Sequence, residues 1–191
     1  MTCTVRLATR VDVPAILEIY NEAVLNTTAS YDLEPVSLES RLAWFGEKQE
    51  GGHPVFVAEP VAEEGGAGLL GWSTYGAFRA KPGYAYTAEH SVYVAAGARS
   101  QGVGRALMLP VIEHARAAGI HVLVGGLDAS NAASIGLHRS LGFEQVAHFR
   151  QVGRKFGRWL DLAFLQLLLD EGERQPRPVL SARSGSPSGL P

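Results

Sequence analysis

The sequence RSQGVGRAL, residues 99–107, connects a run with the alternating polarity of a β-strand to a run with helical periodicity. Gly102 and Gly104 let a ligand approach the backbone closely, because neither residue carries a Cβ. A helix beginning at about Val103 directs unpaired N–H groups and the positive end of its dipole toward this turn. The pattern therefore predicts a cradle for an anion such as a phosphate. The predicted contacts are Arg99, Gln101, Gly102, Val103, Gly104, Arg105 and Ala106.

The glycine turn has two interpretations besides an anion cradle: a dinucleotide-binding turn and a simple connection. A P-loop is excluded, because the Gly-Lys-Ser/Thr sequence is absent. The dinucleotide fingerprint needs a third glycine where Leu107 stands, although Asp128 lies at a suitable distance for its ribose-binding acid. A nucleotide-binding Rossmann protein is therefore a weak alternative. A tight strand-to-helix connection that binds nothing is the simpler alternative.

Two titratable residues could perform proton transfer near this cradle. Glu89 lies in TAEHSVYV, the strand that leads toward the turn, where burial would raise the pKa of a carboxyl toward the range of a general base. His138 lies on the apolar face of a later helix, and imidazole titrates near neutral pH. A salt-bridged glutamate and a core histidine are the structural alternatives. His90 should face away from Glu89, because neighbouring side chains of a strand alternate.

The periodicity of the chain predicts the elements that position these residues. Their order is β-α-α-β-β-β-α-β-α-β-β, which indicates a mixed α+β fold with helices on both faces of a central twisted sheet. Asp12, Ser37 and Asn131 are predicted to cap helices. The last two strands are predicted to form a hairpin that turns near residues 155–157.

Length and composition limit the remaining possibilities. The 191 residues suit one domain, predicted over residues 1–170, followed by a flexible tail rich in Pro, Ser, Gly and Arg at 171–191. A net charge of −2 argues against a non-specific nucleic-acid binder. One cysteine and no histidine pair at ligand spacing predict neither a disulfide nor a metal site. Without a signal-peptide pattern or a long apolar run, we expect a cytoplasmic protein with no membrane partner.

The arrangement Arg-x-x-Gly-x-Gly at residues 99–104, behind a strand and opening a helix, resembles the acyl-CoA pyrophosphate loop of the GNAT N-acetyltransferases. NAASIGLHRSLGF is similar to the second block of that family, with His138 where many members carry tyrosine. TAEHSVYV, NTTASYDLEP and KFGRWLD look like the phosphinothricin (methionine sulfoximine/sulfone) acetyltransferase branch. The resemblance covers roughly residues 4 to 170. It implies the GNAT acyltransferase fold, with about six to seven strands and about four helices.

The resemblance also implies roles for individual residues. It makes Glu89 the catalytic base, and it makes His138 either a proton donor to the departing CoA thiolate or an assistant to Glu89. The backbone of Val92, Tyr93 and Val94 would pair with the pantetheine arm of acetyl-CoA, as a peptide pairs with a strand edge. Asn131 would cap its helix, bond pantetheine, or do both. A homodimer is implied as well. Direct acetyl transfer is expected rather than an acyl-enzyme, because no Ser or Cys is placed beside a base.

The acceptor is expected to be a small amino-acid-like amine, such as phosphinothricin, methionine sulfoximine or methionine sulfone. Two loops are expected to wall its pocket, and Arg79 is a candidate for a bidentate grip on the acceptor's carboxylate. The predicted acceptor-binding residues are Tyr31, Phe78, Arg79 and Tyr86. A peptide or protein amine is the alternative acceptor, and a CoA-binding module without turnover is the alternative of another class.

Overall fold

The computed structural model describes residues 2–61 and 68–170, and these form a seven-stranded sheet with four α-helices. The elements are β1 (Cys3–Leu7), α1 (Val13–Asn26), α2 (Leu38–Glu50), β2 (Val55–Pro60), β3 (Gly71–Ala77), β4 (Thr87–Val94), α3 (Val103–Ala117), β5 (Val122–Asp128), α4 (Ala132–Ser140), β6 (Glu144–Lys155) and β7 (Arg158–Leu168). The predicted element order is confirmed. The predicted tail at 171–191 lies outside the described residues.

The strands follow the order β1-β2-β3-β4-β5-β7-β6 in the sheet. All neighbours are antiparallel except β4 and β5, which are parallel. That parallel pair is short, because only Thr87–Glu89 of β4 align with Val122–Val124 of β5. Beyond these residues β4 continues along β3, while β5 continues along β7. The sheet therefore opens between its two central strands.

Each face of the sheet carries its own helices. Trp72 and Tyr93, which are opposite each other on β3 and β4, pack in the cluster formed with α1 and α2. Val92 and Val94, which point the other way, pack against the buried side of α3. The i+4 stripe predicted on α3 is confirmed, since Val103, Leu107, Val111 and Ala115 are all at most 1% exposed. Helices on both faces are thus observed, as the sequence predicted.

Two of the three predicted helix caps are confirmed. The Ser37 hydroxyl accepts a hydrogen bond from the Ser40 N–H at 3.1 Å, and the Asn131 amide oxygen accepts one from the Ser134 N–H at 3.0 Å. The prediction for Asp12 was wrong, because its carboxylate makes no cap bond to α1. It accepts instead from the Thr9 N–H and from the Arg6 guanidinium, at 2.7 and 2.9 Å. The side chain closes the preceding turn.

Within the described residues, no helix is both long enough and apolar enough to cross a membrane. The same residues contain no group of three or more His, Cys, Asp or Glu side chains that could hold a metal ion.

Replacing Asp12 with asparagine should destabilise the fold by about 1 kcal/mol at neutral pH, the usual scale for losing such a turn-closing carboxylate. The hydrogen bond from Arg6 lowers the pKa of Asp12 from 3.8 to about 2. The carboxylate therefore stabilises the folded state fully above pH 4, and this contribution is lost as the pH falls toward 2. Urea unfolding of both proteins at pH 7 and near pH 2.5 measures the difference. A gap of the same size at both pH values would contradict the assignment.

Candidate active site

The opening between β4 and β5 leads into a cavity of about 480 Å³. One wall is the edge of β4 that β5 no longer pairs with, and another is the start of α3. Its lining consists of Ala23, Thr27, Ala29, Val92, Tyr93, Val94, Arg99, Ser100, Gly102, Gly104, Arg105, Asn131, Ala133, Ser134 and Leu137. A strand edge with free N–H and C=O groups, followed by a helix N-terminus, suits an extended ligand that ends in an anionic group.

The glycine turn has the conformation that an anion cradle requires. Gly102 precedes α3 with φ of +85°, a left-handed conformation that favours glycine, and no side chain caps the helix. The first N–H groups of α3 therefore have no intrahelical acceptor. Gly104 brings the helix against α4, since a Cβ there would lie 3.0 Å from Cδ2 of Leu137. Both glycines line the cavity, as predicted.

Some of the predicted contacts around the turn line the cavity and others do not. Arg99 and Arg105 line the cavity, but Arg99 also forms an ion pair with Glu22 at 2.5 Å, and Arg105 donates to the Ser140 carbonyl at 3.2 Å. Three other predicted contacts do not line the cavity. The Gln101 amide donates to the Gly97 carbonyl at 2.7 Å, Val103 is buried in the core, and the Ala106 N–H closes the first turn of the helix by donating to the Gly102 carbonyl.

The predicted backbone and cap residues are brought together as expected. Val92, Tyr93 and Val94 lie on the part of β4 that β5 does not pair with, where the Val94 carbonyl accepts from Nε of Arg99 at 3.2 Å. Asn131 lines the same cavity. Ser134, which was not among the predicted residues, lies one turn beyond Asn131 on α4 and lines the same cavity. Its helical spacing from Asn131 was the available signal. Ala29, which comes from the connection after α1, was not predicted either, and the sequence offers no signal for it.

A smaller cavity of about 70 Å³ adjoins the larger one, and five residues line both. His90, Ser91, Gly126, Leu127 and Asp128 complete its wall. Asp128, which the Rossmann alternative would use for a ribose, instead accepts hydrogen bonds from the backbone and the hydroxyl of Ser130. This carboxylate therefore shapes its own loop.

Glu89 lies where β4 and β5 part, half-buried on the face of the sheet that carries α1 and α2. The space beside it exists because residue 126 is glycine, since a Cβ at Gly126 would lie 3.3 Å from Oε1 of Glu89. Burial raises the pKa of the Glu89 carboxyl, and the positive charge of Arg79 partly offsets that effect. Among the described residues, the carboxylate of Glu89 has no hydrogen bond or ion pair, and because it is only half-buried it is open to a ligand.

His138 lies on the buried face of α4, the apolar face on which the sequence placed it. It is fully buried, its Nδ1 donates to the Ser134 carbonyl at 2.7 Å, and its ring stacks on His90 with centroids 5.0 Å apart. Both rings lie over Gly125, whereas Glu89 lies over Gly126, the next residue of β5. Glu89 and His138 are therefore on opposite faces of the sheet. The prediction that His90 faces away from Glu89 is confirmed.

Burial also fixes the charge of the two histidines. Desolvation, together with the proximity of His138, lowers the pKa of His90 to about 3, and desolvation lowers the pKa of His138 as well. Both rings are therefore neutral near pH 7. The proton of neutral His138 is on Nδ1, which donates it to a carbonyl, so its Nε2 is an acceptor.

The four predicted acceptor-binding residues do not lie together: two are beside Glu89 and two are elsewhere in the fold. Phe78 contacts Phe164 edge-on, and Phe164 in turn borders the space at Gly126 beside Glu89. The guanidinium of Arg79 lies over the Phe78 ring, 4.1 Å from its centre. These two residues are therefore next to the candidate base. Tyr31 packs against β6 and donates to the Asp161 carbonyl at 3.1 Å. The Tyr86 carbonyl accepts from the N–H groups of residues 121 and 122, so this residue joins β4 to β5.

Comparison with known proteins agrees with this architecture. A model of the acetyltransferase (GNAT) family matches residues 15–143. The L-methionine sulfoximine/L-methionine sulfone acetyltransferase of Pseudomonas aeruginosa is 48% identical over 92% of this chain and 100% of its own length. The phosphinothricin N-acetyltransferase of Alcaligenes faecalis is 37% identical over 90% of this chain and 85% of its own.

A solved structure shows the same fold. The phosphinothricin acetyltransferase of Sinorhizobium meliloti, determined in complex with acetyl-CoA, superposes with a TM-score of 0.89 at 34% identity, covering 96% of this chain and 100% of that one. The parted central strands, the glycine cradle and a family match over more than half of the sequence lead to one conclusion: this chain belongs to the GNAT family and is an acetyltransferase.

Proposed function

We propose that this enzyme transfers the acetyl group of acetyl-CoA directly to the amino group of a small amino-acid-like acceptor, of the methionine sulfoximine, methionine sulfone or phosphinothricin type. The observation that carries the proposal is the half-buried carboxylate of Glu89, unpaired among the described residues, at the point where the cofactor cleft opens. The relatives named for these acceptors support this acceptor class.

The cleft residues fit acetyl-CoA, which supplies an activated acetyl group as a thioester. The N–H groups at the start of α3 would hold the pyrophosphate, with Arg99 and Arg105 adding positive charge at the rim. The free edge of Val92–Val94 would pair with the amides of the pantetheine arm, and one of its N–H groups could polarise the acetyl carbonyl. Asn131 lines the opposite wall while it caps α4.

Glu89 would accept the proton of the acceptor's ammonium group and so generate the nucleophilic amine. A base works best when its pKa lies near the operating pH, and burial moves the pKa of Glu89 in that direction. Arg79, whose charge already acts on Glu89, would bind the acceptor's carboxylate, and Phe78 would wall the pocket. Tyr31 and Tyr86 would contribute to the fold around this pocket.

The role of His138 is revised on this geometry. The sheet separates it from Glu89, and donation from Nε2 would require the imidazolium form, which burial disfavours. We therefore propose that His138 holds His90 in place beside the smaller cavity.

We also propose that the enzyme is a homodimer and that it is located in the cytoplasm. The hairpin of β6 and β7 exposes a set of large apolar side chains, each at least 47% exposed: Val146, Phe149, Val152, Phe156 and Trp159. Such a patch is typical of a surface that is covered by a partner. A cytoplasmic location agrees with the use of acetyl-CoA.

The function is tested by measuring thiol release from acetyl-CoA with a panel of amines. We expect turnover with phosphinothricin, methionine sulfoximine and methionine sulfone, and little with common amino acids or a peptide. Turnover with the peptide alone would contradict the acceptor class. CoA binding without turnover on any amine would indicate a binding module.

Glu89→Gln should lower kcat/KM about 100-fold or more, the usual contribution of a general base, while acetyl-CoA affinity changes little. In the unsubstituted enzyme, kcat/KM should rise with pH through the pKa of Glu89, which burial places above 4.5, and the variant should lack this rise. Stopped assays across pH 4.5–8 measure the profile. Glu113→Gln, on an exposed part of α3, is the matched control. Equal activity of the two variants would remove Glu89 from the mechanism.

Gly104→Val should weaken acetyl-CoA binding about tenfold, because a Cβ at this position meets Leu137 at 3.0 Å and overpacking costs ~1–3 kcal/mol. Gly136→Val is the matched control, since Gly136 is also helical but a Cβ there meets nothing within 4 Å. Calorimetric titration of both variants gives the affinities. An unchanged Kd for Gly104→Val would argue against the cradle.

A further inference from the structure

A third cavity, of about 310 Å³, lies between α2 and the central strands β3 and β4. It is on the same face of the sheet as Glu89, and the acetyl-transfer chemistry described above makes no use of it. Aromatic rings and two cationic side chains form most of its wall: Tyr20, Arg41, Trp44, Lys48, Trp72 and Tyr93. We call it the α2 chamber.

Arg41 is the most unusual residue of the α2 chamber. Its side chain is only 6% exposed, and its guanidinium carbon lies 4.0 Å from the ring centre of Tyr20 and 4.7 Å from that of Trp44. Within the described part of the chain no carboxylate or carbonyl oxygen pairs with it, and its Nε is buried without a partner. An arginine normally directs its five N–H donors to carboxylate, phosphate or carbonyl oxygens.

Trp72, another residue of the chamber wall, also has an unsatisfied donor. Its Nε1 is buried and, among the residues described, has no acceptor, and like Nε of Arg41 it is closed off from the chamber. The one carboxylate in the wall, Asp32, accepts a hydrogen bond from the Tyr20 hydroxyl and is not within 4.0 Å of the guanidinium of Arg41. Lys48 donates to the Tyr75 carbonyl at 2.9 Å. The wall therefore offers the terminal guanidinium N–H groups of Arg41 beside a single carboxylate, and this arrangement favours a ligand that brings oxygen atoms.

The α2 chamber and Glu89 are close enough for one small ligand to reach both. Ser91 lines the chamber and lies two residues from Glu89 on the same face of β4, a separation of roughly 7 Å. Gly76 is opposite Glu89 on β3, and Nζ of Lys48 approaches it so closely that a Cβ there would lie 2.7 Å away. In methionine sulfone four bonds, roughly 5 Å, separate the amine nitrogen from the sulfur.

We propose that the α2 chamber binds the oxygen-bearing end of the acceptor's side chain, a phosphinate, sulfone or sulfoximine, and that Arg41 determines specificity for that end. The proposal rests on the function proposed above. The acceptor's amine would lie at Glu89, its side chain would pass Ser91, and its terminal oxygens would accept from the terminal N–H groups of Arg41. The aromatic rings would pack against the methylene groups.

The test is a ratio of kcat/KM values, so that a loss of folded enzyme cancels. Phosphinothricin carries an anionic end, whereas methionine sulfone carries a neutral one. Arg41→Met should therefore lower the ratio of kcat/KM for phosphinothricin to kcat/KM for methionine sulfone about tenfold or more. Arg41→Lys should retain part of the ratio. Arg10→Met, which removes an exposed arginine outside the chamber, is the matched control.

A binding measurement makes the outcome independent of turnover. Trp44 and Trp72 line the α2 chamber, and in a Trp159→Phe background they are the remaining tryptophans of the chain. Titration of this CoA-saturated protein with dimethylphosphinate should give a saturable change in fluorescence, and Arg41→Met should weaken the binding about tenfold.

The outcomes separate the two proposals. An unchanged kcat/KM ratio, with both values reduced and a lower Tm, would show that Arg41 is structural and would overturn the subsite. Absence of a saturable signal in the Trp159→Phe protein would also overturn it. Binding of dimethylphosphinate through Arg41, without acetylation of either acceptor, would support the subsite and contradict the proposed function.

Discussion

The site depends on one interruption of hydrogen bonding, the parting of the parallel strands β4 and β5 after Glu89 and Val124. Buried backbone groups must find partners, so two strands cannot separate in the middle of a sheet without something to compensate. Here each strand stays paired on its other side, β4 to β3 and β5 to β7. The inner edges are left for a ligand, and the start of α3 closes one end of the opening.

Side chains along β4 alternate between the two faces of the sheet, so Glu89 and His90 point in opposite directions. Glu89, Ser91 and Tyr93 point toward α1 and α2, whereas His90 and Val92 point toward α3 and α4. The face that carries Glu89 and the face that packs His90 against α4 are thus set by position parity in one strand. Gly125 and Gly126 maintain the division on β5, because a Cβ at either position would crowd His90 or Glu89. This parity is the physical reason for the revised role of His138.

Local patterns allowed much of this to be predicted from the sequence. The element order, the caps at Ser37 and Asn131 and the cradle at Gly102 depend on residues close in the chain, where periodicity and turn chemistry carry the information. The predictions that failed depend on competing partners a few residues away, whose three-dimensional positions periodicity does not give. Asp12 turned away from α1 because Arg6 on β1 offered two donors, and the side chain of Gln101 found the Gly97 carbonyl. The α2 chamber joins residues from α1, α2 and two strands, which no sequence spacing indicates.

The environment of Arg41 also shows how the fold tolerates an unsatisfied charge. Each buried donor without an acceptor costs ~1–3 kcal/mol, so Arg41 and Trp72 together reduce the stability of the folded chain. The rings of Tyr20 and Trp44 offset part of that cost, because a cation over an aromatic face gains about 0.5–2 kcal/mol. In our proposal, this arrangement keeps an arginine buried while its terminal N–H groups remain open to the oxygen atoms of a bound acceptor.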